Sequence, residues 1–397
     1  MLQAINQNGQ KVILFNKSVQ EIEKLKTNKH NFICPVCKGK VYLRSGKRVI
    51  PHFVHYSIKT CDSISRGESI YHDQGKMMLY RWLLHQQLSV KLEPFIQTIR
   101  QRPDILLIIG RKRIAIEYQC SPISPAVIKA RNDGYRSLSI FPIWIIGAKY
   151  FQRKSRYKLH ISSFIQSLIH QFSPTSSPLI FFFCPYTSRL ITVQDLYMVT
   201  NRMILGKITD YKLSQVSFIQ LFHEKAFSSK ELYSIWHKEK HSFRTKQRGR
   251  LSKRELNWHR WLYEKRLHLH SLPSIIHLPI SSQYMMRVPL WNWQSKWVIE
   301  RFIPRQNGEI IQLHHRSLRN EMYQQKDFSL TYQVSELSDP LYQYLRILSQ
   351  LKIVKKISAM TFIKLSDIDF PTTIEEAIAA DKEVLRQLQK QNKSMFP

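Results

Sequence analysis

The chain has 397 residues and carries 61 Lys+Arg against 28 Asp+Glu, a formal net charge of +33. Apolar residues make up 43 % of it, enough to build cores in two or three domains, which excludes disorder of the whole chain. Such a charge favours polyanionic partners, nucleic acid ahead of anionic membrane, and disfavours an enzyme of small or acidic substrates.

Met1–Lys11 lacks the apolar core of a secretory signal. The longest apolar runs, Ile140–Ala148 and Leu179–Cys184, fall well short of the ~20 residues of a spanning helix. No transmembrane segment is expected, and the expected location is the cytoplasm. Five cysteines, two of them as Cys34-x-x-Cys37, suit a reducing compartment better than a disulfide framework.

Residues 1–61 read as short strands: Lys11–Phe15 alternates weakly, and Lys40–Arg44 and Lys47–Ile50 flank Ser45-Gly46 as a hairpin. From Glu68 to Gln87 the period becomes helical, with Tyr71, Met78, Leu79, Trp82 and Leu83 on one stripe. Strands are predicted over Val90–Ile99, Arg102–Ile109 and Lys112–Cys120. A helix follows over Pro125–Leu138 with Ser124 as its N-cap, then a buried strand over Ser139–Ile146. Helix, three strands, helix and strand make an α/β unit on a mixed sheet. A polar patch at Ser173–Ser177 precedes strands at Leu179–Cys184 and Arg189–Val193. Beyond residue 195 the chain reads as mostly helical and more basic, ending in Pro371–Lys390 with a capping-box pattern at Thr373-x-x-Glu376. Three domains are therefore expected, over 1–61, 62–195 and 196–397. No internal repeat is visible.

Cys34-Pro-Val-Cys37 precedes His52-Phe-Val-His55 across that hairpin, and Cys61 follows. Two pairs of thiol and imidazole ligands are what tetrahedral Zn²⁺ takes, and a closed four-ligand site is structural. Cys34, Cys37, His52 and His55 are the expected ligands, with Cys61 able to replace one histidine.

A second constellation lies in the next domain. If Gly110-Arg111 is a two-residue loop, paired residues sum to 221, and Asp104 opposes Glu117 (104 + 117 = 221). Alternation turns Gln119 to the same face. Opposed carboxylates repel, and a hard divalent cation such as Mg²⁺ or Mn²⁺ between them removes that cost. Such an ion can activate water for attack on a phosphodiester. Glu68, His72 and Lys76 share one helical face beside it: Glu68 for the metal, Lys76 for the phosphate or the water.

Pro103-Asp104 followed by Glu117-x-Gln119 resembles the PD-(D/E)xK nuclease signature, whose fold has the element order read above. The full layout, with the Cys34–Cys37 knuckle, His52-x-x-His55 and Glu68-x₃-His72-x₃-Lys76, resembles the competence protein CoiA family. The resemblance is strong to about residue 195; beyond it rests on Trp293-Gln294 and the aromatic residues around them. It implies a DNA-handling role in natural transformation, with incoming single-stranded DNA and the recombination machinery as partners. Gln119 stands where the nuclease signature has Lys, so cleavage needs a substitute cation: Lys76 first, Lys129 or Arg131 as fallback. Two functions follow, a metal-dependent DNA nuclease and a non-catalytic DNA-binding adaptor that uses the nuclease fold as a platform.

Between Lys238 and Arg254 stand eight Lys/Arg and one acid, Glu239. Arg244, Lys246, Arg248, Arg250, Lys253 and Arg254 are the expected phosphate-binding residues. Phe243, Trp258, Trp261 and Tyr263 offer rings for base stacking, a combination suited to single strands. Trp291, Trp293 and Trp297 are spaced too closely for all to be exposed, and core packing or a partner surface is expected for them. Cys120 and Cys184 fall in apolar strands and are expected to be inert.

Overall fold

The computed structural model describes residues 3–14, 17–27, 31–46, 49–56, 69–173, 175–246, 249, 251–313 and 339–390. In chain order these form β1 (Gln3–Ile5), β2 (Lys11–Ile13), α1 (Val19–Thr27), β3 (Phe32–Ile33), β4 (Lys40–Gly46), β5 (Val49–His55) and α2 (Ile70–His85). Then come β6 (Ser89–Leu92), β7 (Ile105–Ile109), β8 (Lys112–Gln119), α3 (Pro125–Ser137), β9 (Ile140–Gly147), β10 (Gln152–Arg153), β11 (Lys158–His160), α4 (Ser163–Gln166) and β12 (Leu179–Cys184). The remainder is β13 (Arg189–Thr200), β14 (Met203–Lys212), α5 (Ser229–Thr245), α6 (Lys253–Glu264), α7 (Leu290–Trp297), β15 (Ile310–Gln312), α8 (Pro340–Gln350), β16 (Val354–Ser358), β17 (Thr361–Lys364) and α9 (Ile374–Lys390). None of the described helices is long and apolar enough to cross a membrane.

The chain divides into two compact units. The first holds residues 1–151, 180–192 and 209–223. Its N-terminal part is a small antiparallel sheet in the order β2-β1-β3-β4-β5, closed over Ala4, Leu14, Phe32, Val41 and Phe53. Its larger part is mixed: β6, β7 and β8 are antiparallel neighbours, while β8, β9 and β12 run parallel. Ile105 pairs with Ile116 and Ile109 with Lys112, so the Gly110-Arg111 turn and the sum of 221 are as the sequence predicts. Ser124 caps α3 through Val127 N–H. The α/β class with a mixed nuclease-like sheet is thus the observed one.

The second unit holds residues 152–179, 193–208 and 224–397. Its core gathers Trp236, Trp258, Trp293, Trp297, Tyr344 and Leu345. The closely spaced tryptophans are core residues here: Trp293 donates to Gln283 Oε1, and the side chain of the fully buried Gln294 brackets the Leu278 backbone. Five of the described helices follow residue 228, accompanied by the small β15-β17-β16 sheet. The boundary expected after residue 195 falls inside β13, which runs from Arg189 to Thr200. The short polar interruption Gln194-Asp195 hid this continuation. Both residues are buried, and their side-chain oxygens accept from the backbone N–H groups of Lys225 and Phe227.

Candidate functional site

Cys34 and Cys37 flank the turn from β3 to β4. The N–H groups of Val36 and Gly39 point at their sulfurs, each 3.4 Å away, as in a metal knuckle. A Cβ at Gly39 would lie 3.2 Å from Cys37 Sγ, so a side chain there would crowd the cluster. His55 Nε2 stands 3.3 Å from Cys37 Sγ. One ligand atom from each of Cys34, Cys37 and His55 lies within 4.8 Å of the others, three corners of a possible tetrahedral metal site. Burial lowers the His55 pKa, helped by the N-terminal charge and Arg102, and this favours the neutral ligand form. His52 lies outside this group. Both histidines are on β5, opposite Arg44 and Val41 respectively. Residues three apart on a strand face opposite sides, so the expected His52–His55 pair does not converge. Cys61 lies outside the described residues.

The carboxylate region is built around β8. Tyr118 faces α2: its ring stacks with those of Tyr71 and His72, and a Cβ at Gly75 would meet it at 2.1 Å. Glu117, one residue earlier, faces α3 and accepts hydrogen bonds from Arg131 and the Tyr135 hydroxyl. Strand alternation therefore puts Glu117 and the α2 residues on opposite faces of the sheet. Burial pushes the Glu117 carboxyl up, against the pull of Arg131, and the neighbouring Asp104 charge pushes the same way. Arg131 also donates to the Arg102 carbonyl and Tyr135, and its guanidinium lies over the rings of Tyr135 and Trp144.

Asp104 lies just before β7. Pro103 has no N–H for a ladder, and the Tyr118 N–H is taken at 2.9 Å by Asp104 Oδ2 instead. That carboxylate also meets His72 Nε2 at 3.4 Å and Lys76 Nζ at 3.7 Å. The fully buried Lys76 ammonium lies 2.5 Å from Glu93 Oε1 and 3.5 Å from Asp73 Oδ1. Three carboxylates, Asp73, Glu93 and Asp104, thus surround one ammonium. Asp104 feels both this cluster and the Glu117–Arg131 pair, whose shifts each include its charge.

Sequence reasoning missed Glu93, buried at the end of β6 in left-handed backbone, φ 43°. An acid in the Leu92-Glu93-Pro94 break after a strand is the one available signal. Of the substitute cations, Arg131 meets Glu117 and Lys76 meets Asp104, whereas Lys129 makes an exposed i,i+4 pair with Asp133. Gln119 turns to its own loop, where its amide donates to the Ser121 carbonyl at 2.6 Å. Glu68 lies outside the described residues. The Mg²⁺ site expected between Asp104 and Glu117 does not fit this donor set: one carboxylate is taken by α2 cations and the Tyr118 N–H, the other by α3 donors. No three described carboxylates offer oxygens to one ion there.

The basic segment divides. Arg244 is buried, forks onto Asp381 at 2.9 and 3.0 Å, and donates to the carbonyls of Leu269 and His270. It is a structural arginine, and its expected phosphate contact is corrected. Its position on α5 shows why: Leu232, Trp236, Lys240 and Phe243 line the buried side of the same helix. Lys246, Lys253 and Arg254 are exposed; Arg248 and Arg250 lie outside the described residues. Among the rings, Trp258 and Phe243 are buried, Trp261 donates to Glu300 Oε1, and Tyr263 is 83 % exposed.

Three family models match in succession: the N-terminal domain of competence protein CoiA over residues 14–64, its nuclease-like domain over 68–226 and its C-terminal domain over 232–378. Competence protein CoiA of Bacillus subtilis (strain 168) is 34 % identical over 281 residues, covering 70 % of this chain and 73 % of the relative. The chain belongs to the CoiA family. Its second domain is the CoiA nuclease-like domain, and the match ending at residue 226 takes in the whole of β13 and β14. No solved structure matches.

Proposed function

We propose that this CoiA-family chain is a cytoplasmic DNA-binding protein that promotes processing and recombination of internalised single-stranded DNA in natural transformation. In this reading the nuclease-like domain serves as a platform, and recombination proteins are the partners. One observation carries it: the Lys76 ammonium sits among Asp73, Glu93 and Asp104, where a catalytic domain would offer its oxygens to a divalent ion. Membership of a competence family and the +33 charge support the DNA partner. The test is labelled single- and double-stranded DNA with Mg²⁺ or Mn²⁺, using wild type, Asp104→Ala and Glu117→Ala. Salt-sensitive binding without divalent-dependent degradation is expected. Degradation by wild type that both variants lose would overturn the platform reading.

That nuclease reading has its own observation. Asp104 is coupled to Glu117 and also meets Lys76, the arrangement a substitute for the missing signature lysine requires.

The N-terminal cluster is read as a structural Zn²⁺ site of Cys34, Cys37, His55 and, as fourth ligand, Cys61. Zinc there contributes folding energy, because a closed site exists only in the folded sheet. Chelation and Cys34→Ser are expected to release one zinc per chain and unfold β1–β5. Cys61→Ser should weaken zinc retention, whereas His52→Ala should leave it unchanged. Full folding of a zinc-free preparation would refute the site.

A further inference from the structure

A cavity of about 440 Å³ opens within the second unit, and neither the carboxylate region nor the Cys/His cluster accounts for it. Its floor is apolar and aromatic: Val199, Phe243, His277 and Trp291, all buried. Its mouth is polar and exposed: Thr200, Ser242, Lys246 and Gly249. Phe243 and His277 stack on one another with centroids 4.5 Å apart and an interplanar angle of 15°, which fixes both rings in the floor. Trp291 is held against Trp258 at 4.4 Å. Two acids also line it: Glu239 is paired with Lys158 at 2.7 Å, and Glu255 accepts from the Ser252 N–H and hydroxyl. Among the described lining residues the cation at the mouth is therefore Lys246, the C-cap of α5.

The chemistry of this cavity selects its ligand class. Flat rings behind a polar rim suit a flat heterocycle, and a cation at the mouth suits an anion attached to it. The volume falls in the range of small-ligand pockets and admits one nucleotide. Leu251 lines the cavity and Lys253 and Arg254 follow it in the exposed start of α6, so a strand leaving the cavity would meet further cations. A paired base could not enter, because its edges and faces are occupied in a duplex. We propose that this cavity takes one unpaired nucleotide of single-stranded DNA, its base on the Phe243–Trp291 floor and its phosphate at Lys246. The inference rests on the DNA-binding reading above and adds to it the place where a single strand is told from a duplex.

The test uses the full chain and a single-stranded oligonucleotide bearing 5-iodouracil. Ultraviolet crosslinking is expected to mark the peptides containing Phe243 or Trp291. Ser242→Trp, an exposed position on the rim, should block the mouth and abolish those crosslinks with the melting temperature unchanged. Stacking of one base contributes about five- to a hundredfold to affinity, which sets the expected loss. Lys246→Glu should weaken binding severalfold and flatten the log–log salt slope by about one. Wild-type affinity and crosslinks in Ser242→Trp would overturn the proposal and leave DNA binding standing. Failure of the wild-type chain to bind any DNA would overturn the parent reading instead.

Discussion

Two buried ionic clusters, one in each unit, use similar residues to opposite ends. In the first, Asp73, Glu93 and Asp104 meet Lys76, with Arg102 beside Glu93 and His72 beside Asp73 and Asp104, and Asp104 and His72 keep 15 % and 13 % of their side chains in solvent. In the second, Lys240 and Arg244 share the single carboxylate Asp381, all three essentially without exposure. Their surplus positive charge is met by the carbonyls of Ile276, Leu269 and His270. The first cluster reaches the surface and can respond to a ligand; the second joins α5 to α9 and cannot. Charge and helical spacing look alike in both. What separates a site from a structural tie is access to solvent.

The largest effect should come from breaking the sealed cluster. Asp381→Ala strands two buried cations, and loss of one partner of a buried pair costs about 3–5 kcal/mol. Six of the eight tryptophans lie in that unit, so denaturation followed by tryptophan fluorescence reads it directly. A loss below about 1 kcal/mol would mean the cluster opens to water. Next comes Glu93→Gln, expected to cost about 2–3 kcal/mol in the first unit. Lys76 then loses its 2.5 Å partner, while Asp73 and Asp104 stand farther off, at 3.5 and 3.7 Å. Thermal unfolding followed by circular dichroism checks it, and equal melting of wild type and variant would remove Glu93 from the cluster's support.

A pH experiment sharpens the contrast. Burial pulls the Lys240 ammonium down to about 8 despite Asp381. The unfolded lysine, near 10.5, binds more protons between these values, so stability should rise with pH from about 8 to about 10.5 through this group. The difference between wild type and Lys240→Met, taken from denaturation midpoints across that window, should carry the rise. A flat difference would show that Lys240 titrates normally. The smallest effect is expected at the open cluster's rim: Asp104→Asn keeps an acceptor for Tyr118 N–H and should cost only about 1 kcal/mol. A change in the salt dependence of DNA binding by this variant would mark the rim as a working surface.

Local rules made much of this chain readable from its residues. The two-residue Gly110-Arg111 turn predicts the β7–β8 register, and strand Leu179–Cys184 has the expected limits. Ser124 caps α3 as expected. At Thr373-x-x-Glu376 half the capping box forms: Glu376 N–H meets Thr373, while the glutamate side chain reaches back to Thr372. These features depend on neighbours a few residues apart, where chain geometry leaves few choices.

The partners of the charged residues were a different matter. Glu117 meets Arg131 from the next helix, Lys76 meets Glu93 across a strand, and Arg244 meets Asp381 from the far end of the chain. Alternation alone separates His52 from His55 once a strand is known to run through both, yet the Cys-x-x-Cys pattern invites pairing them. The +33 of the sequence favours a polyanionic partner; which of the cations stay exposed was decided by packing. Arg244 and Lys246 are two residues apart, but one points into the core and the other into water. A 3.6-residue turn decides that difference, and only the assembled core says which side of the helix it covers.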